Sequence, residues 1–112
     1  MENKSAIAAL SALAQDSRLA VFRLLVQAGP EGMAPSRIAE VLAIPASSLS
    51  FHLKELSSAH LATQTKAGRS LIYTANFATM NELLGFLTEN CCGGNPCSPA
   101  AQCCPNPEGE QS

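Results

Sequence analysis

Five cysteines, Cys91, Cys92, Cys97, Cys103 and Cys104, are the residues of this 112-residue chain whose type and spacing most directly promise chemistry. All lie between residues 91 and 104, and the rest of the chain has none. No His or Asp stands among them, so the donor set is all sulfur. Thiolates select soft, thiophilic centres over Mg or Ca, and neighbouring thiols also support disulfide redox chemistry. In a reducing compartment such clustering points to metal or metalloid binding, or to redox sensing, rather than to a structural disulfide frame. From Cys91 onward there is no Leu, Ile, Val or Phe, while four of the seven prolines fall there. Such a segment cannot bury enough apolar surface to offset its ordering entropy. It is expected to be disordered until something crosslinks it. The chain therefore divides into a folded domain, residues 1–90, and a cysteine-rich flexible tail, residues 91–112.

A second candidate site lies in Ile44–Ala75. Pro45 suits a helix start, because Pro needs no N–H there, and the following serines are expected to cap the first turn. Leu49, Leu53 and Leu56 recur at helical spacing and predict a buried face. A helical wheel puts Ser47, Phe51, Lys54 and Ser58 opposite that face, with Ser48, Ser50 and His52 on its flanks. Beyond Leu61 the pattern becomes strand-like around a Lys66-Ala67-Gly68-Arg69 turn. A helix with a small polar outer face, followed by a basic-tipped hairpin, suits the major groove of DNA. The same pattern also suits an ordinary α+β domain.

The elements that must position these residues are legible upstream and downstream. Residues 5–15 predict a helix with Ile7, Leu10, Leu13 and Ala14 on one stripe, facing either the core or a second subunit. Asp16 and Ser17 are expected to cap a second helix running to Gln27, with Leu19, Phe22, Leu25 and Val26 inward, Arg18 and Arg23 solvated, and Gly29-Pro30 as its stop. Glu31–Ala34 is a link able to pair with the hairpin. Pro35 opens a third helix to Leu42, with Ile38, Val41 and Leu42 inward and Arg37 towards a phosphate backbone. Asn76 caps a last helix, residues 77–90, whose broad stripe of Phe77, Met80, Leu83, Leu84 and Leu87 implies half core and half dimer contact. Gly85 lies mid-helix and admits a close crossing.

Composition bounds the rest. One domain is expected at this length, and with four Phe, one Tyr and no Trp its core is aliphatic. The formal charge of −2 argues against nucleic acid only at first sight. Residues 1–90 carry all seven Lys/Arg and seven of the nine Asp/Glu, and the excess comes from Glu108 and Glu110. A neutral domain binds DNA when its cations are gathered on one face; Arg37, Lys54, Lys66 and Arg69 are the candidates. No apolar run approaches the ~20 residues of a membrane span, and no secretory signal is visible. The reading is a soluble, cytoplasmic protein without a membrane partner.

At SSLSFHLKELSSAHLATQTKAGRSLIYTA the chain resembles the ArsR/SmtB family of winged-helix repressors. The shared features are the Ser-x-His-Leu run from Ser50 to Leu53, Leu56, the Ala59–Leu61 exit, and the Gly68-Arg69 tip leading to Tyr73. DSRLAVFRLL is also similar to the family's D-x-x-R-x-x-I-L-x-x-L helix through Arg18, Val21, Phe22 and Leu25, although Asp16 sits one residue closer to the Arg. The resemblance spans about residues 5–90. It implies a mainly α fold with a small β-hairpin (α+β), a winged helix-turn-helix that forms a homodimer through its first and last helices. It implies double-stranded operator DNA as partner and no enzymatic activity. Two of the family's sites are missing. GMAPSRIAEVL has no cysteine where arsenic sensors carry a Cys-Val-Cys-type motif, and NFATMNELLGFLTEN lacks the Asp and His of the zinc site on the last helix. The tail instead resembles a variant subgroup that senses trivalent arsenic with cysteines just past that helix.

Trivalent arsenic or antimony takes three thiolates in a pyramid. Cys91 and Cys92 begin at the end of the last helix, and Gly93-Gly94 lets the chain turn back to bring Cys97 alongside. These three are the expected ligands, with Cys103 and Cys104 as auxiliaries on a longer tether. Zinc or cadmium in an all-cysteine tetrahedral site and a thiol redox switch are the alternatives. An arsenate reductase using a tail cysteine is the enzymatic rival, but no anion-cradling loop or basic partner lies near the thiols. A metal-buffering protein is a further rival. For DNA, Ser47, Ser48 and Ser50 are candidates for phosphate or base contacts and Phe51 for a thymine methyl. His52 is a candidate base contact. Lys54 adds charge to the same face, and Lys66 and Arg69 are expected on phosphates or in the minor groove.

Overall fold

The computed structural model describes residues 1–89, which form five helices and one hairpin in the order α1 (Asn3–Leu13), α2 (Asp16–Ala28), α3 (Pro35–Leu42), α4 (Ala46–Ser58), β1 (Ala62–Ala67), β2 (Ser70–Ala75) and α5 (Phe77–Leu87). Residues 90–112, which include the whole of the 91–112 tail with its expected flexibility and all five cysteines, lie outside the described residues. No helix among the described residues is long and apolar enough to cross a membrane.

The core is aliphatic, as the composition implies. Val21, Phe22 and Leu25 of α2, Ile38 of α3, Leu49, Leu53 and Leu56 of α4, Leu61, and Leu83 of α5 are buried together with Ala6, Ala9 and Ala12 of α1. No polar or charged side chain is buried among the described residues. The three α4 leucines meet the core as their spacing predicted, and each full burial contributes about 1.5–3 kcal/mol.

The faces of α2 and α3 differ from expectation, and that of α1 resolves between its two alternatives. In α1 the alanines pack inward, while Ile7 and Leu10 stand exposed. Only small side chains let α1 lie close against α2, α4 and α5 at once; both faces of that helix are apolar, so spacing alone did not choose between them. In α2 Leu19 is exposed and Val21 is buried, and in α3 Val41 is exposed. At 3.6 residues per turn, Leu19 sits roughly 110° around α2 from the centre of its buried arc, and Val41 lies on the side of Ile38 away from Ala39 and Leu42, which pack against the core.

Helix ends also depart from the expected chemistry. Gln15, not Asp16 or Ser17, caps α2, its side-chain oxygen accepting from the Arg18 N–H at 2.9 Å. Arg18 is not simply solvated: its Nε donates to the Ala12 carbonyl at 2.7 Å, satisfying an open acceptor at the end of α1. None of the serines caps α4, which starts directly after Pro45 without a side-chain cap. Gly29 (φ 75°) does end α2, and Asn76 does cap α5, accepting from the Thr79 N–H at 3.2 Å. That last helix stops at Leu87, short of the expected residue 90, where the Thr88 hydroxyl donates to the Leu84 carbonyl. Gly85 has no neighbour close enough to show a crossing within the protomer.

Candidate nucleic-acid interface

Helices α3 and α4 are joined by Ala43, Ile44 and Pro45, and left-handed backbone sets the angle between them. Ala43 adopts φ 54°, and the Ile44 N–H returns to the Ala39 carbonyl at 3.1 Å. The exit from α4 is built in the same way. His60 adopts φ 63°, its N–H donates to the Ser57 carbonyl, and the Leu61 N–H donates to the Leu56 carbonyl at 2.9 Å. This is a Schellman closure in which the buried Leu56 and Leu61 supply the accompanying apolar contact. Both closures use a residue other than Gly, which is why no glycine signal marked them in the sequence.

Between these fixed ends, α4 presents the outer face that the wheel predicted. Ser47, Ser48, Ser50, Phe51 and Lys54 are exposed, and His52, next to the buried arc, is half-buried. Its Nδ1 is buried without a hydrogen-bond partner. Phe51 is 54% exposed and meets the His52 ring edge-on, with centroids 5.9 Å apart.

The hairpin places the remaining cations. β1 and β2 pair antiparallel from Ala62↔Ala75 to Ala67↔Ser70, leaving Gly68-Arg69 as a two-residue loop. Gly68 has φ 65°, the positive value that a II′ turn needs at its first central position. Lys66 and Arg69 are exposed at this tip. Two links brace the hairpin. Tyr73 donates its hydroxyl to Gln64 Oε1 at 2.9 Å, and its backbone exchanges two hydrogen bonds with Met33, at 2.9 and 3.0 Å. The expected pairing of the Glu31–Ala34 link is therefore a single bridge, not a strand.

That bridge depends on Gly32, whose importance the sequence did not show. Gly32 has φ 71°, and a methyl group there would run into the Tyr73 carbonyl oxygen and the side chains of Thr74 and Ile72. Gly32→Ala is expected to cost at least ~2 kcal/mol, lowering the thermal midpoint by about 8 °C or more. A thermal melt followed by circular dichroism checks this.

Arg37 on α3 is exposed, but it is not free. Its guanidinium pairs with Glu40 at 2.9 Å, one turn along the same helix. Exposed pairs of this kind are weak, so a phosphate can take Glu40's place. The set that sequence reasoning named thus falls on three adjoining parts: Arg37 on α3, the serines, Phe51, His52 and Lys54 on α4, and Lys66 and Arg69 on the hairpin.

The family model described as a helix-turn-helix domain matches residues 13–65, from the end of α1 through α4 into β1. The chain carries a winged helix-turn-helix domain. No curated protein sequence matches the chain. Among solved structures, the winged helix-turn-helix is similar to NolR from Sinorhizobium fredii, at 29% identity and a TM-score of 0.62 over 77% of this chain and 83% of that one. It shares its fold with an ArsR-like transcriptional regulator from a Rhodococcus species (24% identity, TM-score 0.68, 75% of this chain and 76% of that one). The same holds for a homodimeric winged helix-turn-helix DNA-binding domain from Mycobacterium bovis (19% identity, TM-score 0.63, 83% and 86%). In this domain α3 and α4 form the helix-turn-helix and the hairpin is the wing. Among the described residues no three His, Cys, Asp or Glu side chains converge as a metal site. The predicted ligands Cys91, Cys92, Cys97, Cys103 and Cys104 lie outside them.

Proposed function

We propose that the chain is a homodimeric transcriptional repressor that binds double-stranded operator DNA through α4 and the wing and is released by trivalent arsenic or antimony at the tail thiolates. One observation carries the DNA reading: α4 is held to the core by Leu49, Leu53 and Leu56, while Ser47, Ser48, Ser50, Phe51 and Lys54 on its other sides are exposed. The likeness to an ArsR-like regulator and to a homodimeric DNA-binding domain supports it.

The inducer reading rests on the donor set. Cys91, Cys92 and Cys97 supply the three thiolates of a pyramidal As(III) or Sb(III) site, with Cys103 and Cys104 as auxiliaries. Three S–H protons are lost as three sulfur–arsenic bonds form, and the arsenite oxygens leave as water. In the sequence the first cysteine, Cys91, comes after residues 88–90 beyond the end of α5, and α5 leaves Leu84 and Leu87 exposed for a second subunit. Ordering the tail there shifts one protomer against the other and misaligns the two recognition helices. Coupling of ~1–3 kcal/mol lowers DNA affinity by about 5–150-fold. The test is operator binding by reduced protein with and without arsenite, on wild type and on Cys92→Ser. Arsenite is expected to release the wild type and leave Cys92→Ser bound. Equal release of both would exclude this triad, and release by zinc or cadmium alone would favour a tetrahedral all-cysteine site.

A further inference from the structure

We infer that Phe51 is the specificity-determining residue of α4, and that it reads the C5-methyl group of a pyrimidine in the major groove. This rests on the DNA-binding reading above. The other large apolar side chains of α4, Leu49, Leu53 and Leu56, are all buried, whereas Phe51 stands 54% exposed on the opposite side. Its companions on that side are serines and Lys54, so the ring is the one large apolar group that α4 offers outward. The edge-on contact with the half-buried His52, at 5.9 Å and 64°, limits how the ring can swing.

An exposed phenyl ring on a recognition helix has few suitable base partners. Thymine alone among the four bases shows an apolar group in the major groove, its C5-methyl; the other edges there are hydrogen-bond donors and acceptors. Pressed against Phe51, those polar edges would lose water with no replacement partner, which is unfavourable. Attraction to the methyl group and exclusion of bare polar edges therefore act in the same direction. Because the group read is a methyl and not a hydrogen-bonding edge, 5-methylcytosine satisfies the same contact, and uracil does not.

The experiment uses the full-length chain to enrich duplexes from a random-sequence pool, then replaces each enriched thymine by deoxyuridine. One thymine per half-site is expected to matter: losing its methyl weakens wild-type binding about fourfold per half-site, or roughly fifteenfold when both are changed. Cytosine at that position weakens binding further, and 5-methylcytosine recovers part of the loss. Phe51→Ala, at an exposed position, keeps the wild-type circular dichroism and loses the methyl preference. Wild-type protein indifferent to uracil at every thymine would overturn the inference, as would a Phe51→Ala variant that still prefers thymine. Failure to enrich any sequence would instead overturn the DNA-binding reading on which it rests.

Discussion

Raising the salt concentration from about 50 to 200 mM is expected to lower the protein's affinity for operator DNA roughly a thousandfold. Residues 1–90 hold equal numbers of basic and acidic residues, so net attraction cannot supply binding, and only a local gathering of cations can. Arg37, Lys54, Lys66 and Arg69 are all exposed. If about six phosphates per dimer are neutralised by this set, the slope of log affinity against log salt is near −5. Lys66→Ala with Arg69→Ala removes up to four of those contacts across a dimer and should flatten the slope by about 3.6. Arg37 contributes less cleanly, because it must first exchange Glu40 for a phosphate. A slope near zero for wild type would leave the wing tip and α4 without an electrostatic role. Measuring binding by fluorescence anisotropy at four or five salt concentrations decides the matter.

The parts of the fold that were legible in the sequence are those that local chemistry determines. Leu49, Leu53 and Leu56 had one possible face, Asn76 had a helix to cap, and Gly68 had a two-residue loop to turn. The parts that were not legible depend on what an element packs against. Alanine and leucine on α1 are both apolar, and only the close approach of three helices decides that Ala6, Ala9 and Ala12 go inward. The left-handed Ala43 and His60 carry no glycine signal, and Arg18 reaches a carbonyl six residues earlier that no helical spacing predicts. The exposed side of α4 was readable because it is the complement of the leucine stripe. The five cysteines form an all-sulfur set by type alone, and the proposed choice of Cys91, Cys92 and Cys97 falls outside the described residues.

Replacing Leu84 and Leu87 together by Glu is expected to leave a folded monomer that has lost specific DNA binding. Both side chains are 54% exposed in the protomer, so the change removes no core packing, and surface substitutions of this kind usually alter stability by less than about 0.5 kcal/mol. Leu84 and Leu87 on α5 and Ile7 and Leu10 on α1 are the uncovered apolar groups of two helices that pack against each other. In the proposed dimer a second copy of the same surface would cover these four residues from each side, whereas four carboxylates brought into that contact would be driven apart. The functional consequence follows from valence. One recognition helix alone holds a half-site weakly, and tethering two on a rigid dimer multiplies affinity by about 10²–10⁴. Light scattering after size-exclusion chromatography reads the oligomeric state, and anisotropy with the enriched duplex reads the affinity. A dimer that survives the double substitution would move the interface off α5. A folded monomer that still binds tightly would mean that a single α4 and its wing suffice, and the tail would then have no subunit geometry to disturb.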